Sequence, residues 1–129
     1  MRHLDTNIVI AYFNGNLGIA TRLQALDEVA ISAISVAELI YGIKNSSKPV
    51  GNLHSLTEFL KAASVVPFDQ RCADVYGTIR LGLKRKGRPT GSLDLLIAAT
   101  ALAHDAILVT HNNKHFENIE GLKLEDWLA

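Results

Sequence analysis

Four separated segments carry side chains suited to hold a divalent cation. They are Asp5 in His3-Leu4-Asp5-Thr6-Asn7, Glu38 in Val36-Ala37-Glu38-Leu39, Asp94 in Ser92-Leu93-Asp94-Leu95-Leu96, and Asn112 in Val109-Thr110-His111-Asn112-Asn113. Each acid sits beside or within an apolar run. Glu38 is the only charged side chain from Ile34 to Ile43, and Asp94 the only one from Leu93 to Leu102. Helices with so little polar face bury their acids in part. Two carboxylates about 4 Å apart repel by roughly 4 kcal/mol at an effective dielectric of 20. A hard cation relieves that repulsion, and oxygen-only ligands suit Mg²⁺ or Mn²⁺. Each residue alone has a plainer reading. Asp5 could cap the following helix, Asp94 could complement a helix dipole, Glu38 could pair with an arginine, and Asn112 could be a turn residue. Only the conjunction points to a metal site.

The elements that must bring them together follow from the apolar patterning. Arg2 to Asp5, Val29 to Ser32, Val65 to Phe68 and Ala106 to Thr110 read as strands, with a short fifth at Leu122 to Glu125. Pro67 places the third near its end or at a sheet edge. Helices are expected at Ile8 to Phe13, capped by Thr6 or Asn7, at Ile19 to Leu26, and at Ile34 to Lys44, capped by Ser32 or Ser35. Leu53, Leu56, Phe59 and Leu60 mark another helix, after a polar loop from Asn45 to Gly51. Cys72 to Lys86, ended by Gly87, and Leu93 to His104 complete the set. Strands alternating with helices predict an α/β/α layered fold on a mostly parallel sheet of four to five strands. Ligands of such sheets bind beyond the carboxyl ends of the strands. Asp5 and Asn112 follow strands; Glu38 and Asp94 lie early in returning helices. All four therefore fall on one edge.

The bulk numbers are permissive. The 129 residues suggest one domain over 1–129. With 13 basic and 13 acidic residues, net charge names no partner, so nucleic-acid binding would need a local basic patch. The lone Cys72 permits no intramolecular disulfide and no cysteine zinc knuckle, which fits a reducing cytoplasm. The apolar run Ile8 to Phe13 is too short to span a bilayer.

Leu4-Asp5-Thr6-Asn7, Val36-Ala37-Glu38-Leu39-Ile40-Tyr41-Gly42, Gly91-Ser92-Leu93-Asp94-Leu95-Leu96-Ile97-Ala98-Ala99 and Leu108-Val109-Thr110-His111-Asn112 resemble the signature blocks of the PIN domain. More narrowly, the chain resembles VapC-type toxins of toxin–antitoxin pairs, and the match runs in order along essentially the whole chain. The resemblance implies a Mg²⁺- or Mn²⁺-dependent endoribonuclease, with water attacking in line to leave a 5′-phosphate and a 3′-hydroxyl. It implies that Asp5, Glu38 and Asp94 form the acidic metal site and that Thr6 orients Asp5 or a water. It also implies a homodimer, a VapB-type antitoxin partner held in a groove lined by the helices at Ile8 and Leu53, and an RNA substrate, with tRNA favoured. Many PIN domains carry a fourth acid where this chain has Asn112, which puts a second metal ion in doubt.

Arg80, Lys84, Arg85, Lys86 and Arg88 cluster at a helix end shortly before Asp94. They read as RNA-backbone contacts or, alternatively, as cations complementing a helix C-terminus. His111 and His115 have a spacing that can bind zinc on a helix. Asn112 and Asn113 favour a turn there, so no zinc site is read. Tyr12, Phe13, Tyr41 and Phe59 read as core or partner contacts. Two rival functions are weighed. A phosphohydrolase with an aspartyl nucleophile would want an acid at position 7, which is Asn7. A non-catalytic PIN-like module finds support only in Asn112.

Overall fold

Short β-branched runs and apolar helices resolve into a sheet of three-residue strands wrapped by longer helices. The computed structural model describes residues 1–128. The strands are β1 (Arg2–Leu4), β2 (Ala30–Ser32), β3 (Ser64–Val66), β4 (Ile107–Val109) and β5 (Lys123–Glu125). The helices are α1 (Thr6–Phe13), α2 (Leu17–Gln24), α3 (Ala33–Lys44), α4 (Pro49–Ala62), α5 (Gln70–Arg85), α6 (Ser92–Ala103) and α7 (Asn113–Phe116). The strand order is β3-β2-β1-β4-β5, and every pairing is parallel. Pro67, which cannot donate to a ladder, directly follows the edge strand β3.

Alternation along the strands sends side chains to two cores, one on each face. Leu4, Ile31 and Val109 pack with Ile8, Val9, Leu39 and Leu56 under α1 to α4. Leu108 packs with Ile79, Leu83, Leu95, Ala98 and Phe116 under α5, α6 and α7. This is the expected three-layer α/β/α arrangement. It also fixes the edge where chemistry can occur. Asp5 follows β1 directly, Thr110 follows β4, and α3 starts immediately after β2.

The boundaries correct the sequence reading at several points. Asp5, rather than Thr6 or Asn7, caps α1, accepting from the Thr6 backbone N–H at 2.8 Å. Ser32 is the cap of α3. α4 begins at Pro49, inside the stretch read as loop, because proline at the first helical position needs no N–H partner and arrives with helical φ. The segment read as a turn at Asn112 and Asn113 opens the short helix α7, anchored by the fully buried Phe116. Gly87 ends α5 as expected: its φ of +66° permits bonds from its N–H to the Lys84 carbonyl and from the Arg88 N–H to the Leu83 carbonyl. Tyr41 is 73% exposed and belongs to neither core.

Candidate active site

Asp5 is placed by the backbone at both sides. Its N–H donates to the Val109 carbonyl at 2.8 Å, continuing the β1–β4 ladder, while its side chain caps α1. It is only 3% exposed. Three donors address its carboxylate. The Thr6 N–H and the Thr110 hydroxyl each lie at 2.8 Å, on different oxygens, and the Thr6 hydroxyl stands at 3.4 Å. The Thr6 hydroxyl is closer to Glu38 Oε1, at 2.9 Å. Its single proton therefore goes to Glu38, and Thr6 bridges the two acids. The Thr110 oxygen accepts in turn from the Asn112 N–H at 3.0 Å.

Burial pushes the Asp5 carboxyl up, against the pull of the Thr110 and Thr6 hydrogen bonds, and the nearby Asp94 charge adds to the rise. Glu38 is raised as well, first by burial and then by Asp5 and Asp94, with Thr6 opposing. Glu38 thus feels both aspartates across the edge, and Asp5 feels Asp94. Among the described residues neither Asp5 nor Glu38 has a Lys or Arg at ion-pair distance. Asp94, in the first turn of α6, meets His115 Nδ1 at 2.9 Å. The arginine partner considered for Glu38 is therefore not there, and the cap role considered for Asp5 is real but coexists with its place among the acids.

The donor set suits a hard divalent ion: oxygen atoms only, like-charged, partly buried, with no basic side chain to neutralise Asp5 or Glu38. As the side chains stand, no three His, Cys, Asp or Glu among the described residues form a ready-made cage. Asn112 reaches the site through its backbone N–H, and its side chain does not cap α7. His111 and His115 diverge to different acids, Asp126 and Asp94.

Several contributors escaped the sequence reading. Thr110 braces Asp5 from 105 positions away. Asn7 Oδ1 accepts from the His111 N–H at 3.3 Å, tying α1 to the segment after β4. His115 and Lys114 line a cleft of about 230 Å³ with Pro89, Thr90, Gly91 and Asp94. Only Thr110, directly after β4, had a usable signal, its position beyond a strand carboxyl end.

The basic residues lie where α5 meets the start of α6. Arg80 and Lys84 line a 610 Å³ cavity with Tyr76, Pro89, Thr90 and Ser92. The Arg80 guanidinium lies over the Tyr76 ring, and its Nη1 donates to the Tyr76 hydroxyl at 2.8 Å. Lys86 reaches the Asn118 carbonyl at 3.5 Å. Arg85 and Arg88 are exposed.

On the opposite flank of the acids, a 330 Å³ cavity runs from Thr6 and Glu38 along Ile10, Phe13, Leu39 and Ser55. A second, of 590 Å³, is lined by Tyr12, Phe13, Leu23, Leu26 and Phe59, and shares Phe13 and Ser55 with the first. Tyr12, Phe13 and Phe59 form one aromatic cluster with ring separations of 5.9 to 6.0 Å.

The model of the PIN domain family matches residues 3–122. Ribonuclease VapC2 of Rickettsia felis is 40% identical over 132 residues, covering 96% of each chain. The chain belongs to the PIN-domain family, among the VapC ribonucleases. A tRNA(fMet)-specific endonuclease VapC of Shigella flexneri is 36% identical over 126 residues, again covering 96% of each chain. In three dimensions this PIN domain is similar to a chain in the crystal structure of Rickettsia felis VapBC2 bound to a promoter DNA fragment. The TM-score is 0.93 at 38% identity, covering 98% of both chains. A chain of the DNA-bound VapBC of Salmonella typhimurium gives a TM-score of 0.92 at 36% identity, covering 98% of this chain and 97% of that one. Among the described residues of the PIN domain, no helix is long and apolar enough to cross a membrane.

Proposed function

We propose that this protein is a divalent-metal-dependent endoribonuclease, the toxin of a toxin–antitoxin pair, whose metal ligands are Asp5, Glu38 and Asp94. The observation that carries the reading is a pair of partly buried, raised carboxylates, Asp5 and Glu38, bridged by the N–H and hydroxyl of Thr6 and both sensing Asp94, with no Lys or Arg at ion-pair distance from any of the three among the described residues. Mg²⁺ or Mn²⁺ fits the all-oxygen donor set. Such an ion supplies Lewis-acid activation of water and neutralises charge on the scissile phosphate.

The chain's own residues do the rest. Thr110 and the Thr6 N–H fix both oxygens of Asp5, so its carboxylate cannot swing away from the edge. Thr6 holds Glu38 beside it. Asn112, neutral where an acid would add charge, leaves the edge with three carboxylates, which suits one tightly held ion. Arg80, Lys84, Arg85, Lys86 and Arg88 track the RNA backbone towards Asp94, with Arg80 pre-ordered on Tyr76. The aromatic groove that ends at Thr6 and Glu38 fits an antitoxin segment presenting apolar side chains and a cation for the acidic end. The VapBC complexes to which the chain is similar favour this occupant, and a homodimer is the assembly read with it. The tRNA(fMet)-specific relative favours tRNA as the substrate.

Purified wild type and Asp5→Asn, incubated with a tRNA pool and Mn²⁺, test the reading by sequencing of cleavage ends. The expected result is discrete 5′-phosphate ends with wild type alone. Cleavage by Asp5→Asn at the wild-type rate would overturn the site. Lys84→Glu with Lys86→Glu should weaken RNA binding and flatten its salt dependence; unchanged binding would leave those lysines as helix-end cations only.

A further inference from the structure

Asp94 differs from the other two acids in what holds it. Asp5 and Glu38 are held by threonine hydroxyls, whereas Asp94 Oδ2 is met by His115 Nδ1 at 2.9 Å. Among the described residues Asp94 Oδ1 has no hydrogen-bond partner. His115 is itself fixed from several directions. Its N–H donates to the Asn112 carbonyl at 2.9 Å, and its carbonyl accepts from the Thr90 hydroxyl at 3.3 Å. Its neighbour Phe116 is fully buried and anchors α7 in the α5–α6 core. The imidazole is thus presented from a braced backbone, although the side chain itself is largely exposed.

From this geometry we infer that His115 is a positioning residue for the metal site: its Nδ1–H holds one oxygen of Asp94 and leaves the other for the ion. The inference rests on the reading of Asp94 as a ligand. A partly exposed carboxylate in the first turn of a helix, lining a cleft, has several rotamers open to it. One N–H donor on Oδ2 selects among them before the ion arrives. Partners of ligating groups generally hold metal affinity in this way, and their loss costs about 10- to 100-fold. The contact is made by Nδ1 rather than Nε2. Asparagine, whose Nδ2 falls close to the position of Nδ1, should therefore replace histidine, while alanine should not.

The test is calorimetric titration of Mn²⁺ into the full chain at one fixed pH, for wild type, His115→Ala, His115→Asn, Asp94→Asn and the double variant His115→Ala with Asp94→Asn. Thermal unfolding without metal is recorded alongside. His115→Ala should raise the Mn²⁺ dissociation constant about tenfold or more, with unfolding unchanged. His115→Asn should stay near wild type. The double variant should bind no worse than Asp94→Asn alone, since the two residues act through one carboxylate. If Asp94→Asn loses Mn²⁺ binding while His115→Ala keeps it, the positioning role is wrong and the metal site stands. Equal weakening in the Ala and Asn variants also overturns it. If Asp94→Asn binds Mn²⁺ like wild type, the ligand assignment itself fails.

Discussion

Two carboxylates in the same sheet, at strands separated by β4, show opposite ways of settling a partly buried charge. Glu125, at the end of β5, is bound by the Arg2 guanidinium through two contacts of 2.8 and 3.1 Å and accepts from the Trp127 indole at 3.1 Å. Those bonds pull its carboxyl below the ordinary value. Asp5, at the end of β1, has only a backbone N–H and hydroxyls, and its carboxyl is raised. A guanidinium closes the first site for good. Hydroxyls orient the second without cancelling its charge, which leaves that charge available to a cation, as the proposed site requires. The same residue class is thus structural at one point of the sheet and available for chemistry at another, and the partner decides which.

The strongest way to break that contrast is to neutralise the acids. Asp5→Asn or Asp94→Asn should lower RNA cleavage by roughly three orders of magnitude, since the metal-dependent stabilisation at stake is several kcal/mol. Metal-free Asp5→Asn should melt no lower than wild type, because the charge removed was costly. A lower melting temperature with retained cleavage would reverse the contrast.

His3, between Arg2 and Asp5 on β1, gives the next largest effect. It is 2% exposed, its Nδ1 has no hydrogen-bond partner among the described residues, and burial, followed by the neighbouring His104, pushes its imidazole down to about 4 from 6.5. Between those values the unfolded chain binds a proton that the fold does not. Stability is therefore intact above pH 6.5 and falls towards pH 4, by roughly 3 kcal/mol. Asp5 works the other way: raised in the fold, it takes up a proton before the unfolded chain does, so its burial becomes less costly as pH falls. Urea unfolding of metal-free wild type and His3→Leu at pH 7 and pH 4.5 separates the two. Wild type should weaken on acidification, and His3→Leu should not.

Thr110→Val keeps the shape but removes the donor to Asp5. A hydrogen bond to a charged group is worth about 1.5–3 kcal/mol. Cleavage should drop by about one to two orders of magnitude, with a matching rise in the Mn²⁺ needed for half-activity. Glu125→Gln should do least. Arg2 and Glu125 are each about one-third exposed at the side chain, so the loss should stay below about 1 kcal/mol by chemical unfolding. Cleavage should be unchanged, and a large loss of activity would show that the two sites are not separate.

The acids were legible in the sequence because each is a lone charge in an apolar stretch, and the element order was legible from period and punctuation. Pro49 was an available signal for the start of α4, outweighed by the polarity of its surroundings. The supporting residues were not legible. Thr110 meets Asp5 across 105 positions and Glu125 meets Arg2 across 123, and only sheet order decides those meetings. His115 meets Asp94 because Phe116 seats α7, a packing event that leaves no periodic trace in a four-residue helix.

The strand order has a consequence for when the enzyme can exist. β1 (Arg2–Leu4) is the middle strand, and its later-made neighbour β4 is completed only at Val109. A growing chain carries Asp5, Glu38 and Asp94 before it carries the Thr110 hydroxyl and the ladder partner that seat Asp5. Long-range parallel pairing is also slow to form. The acidic edge is therefore among the last features to be assembled during synthesis, and on the proposed assignment a ribosome-attached fragment ending before Thr110 should not cleave RNA.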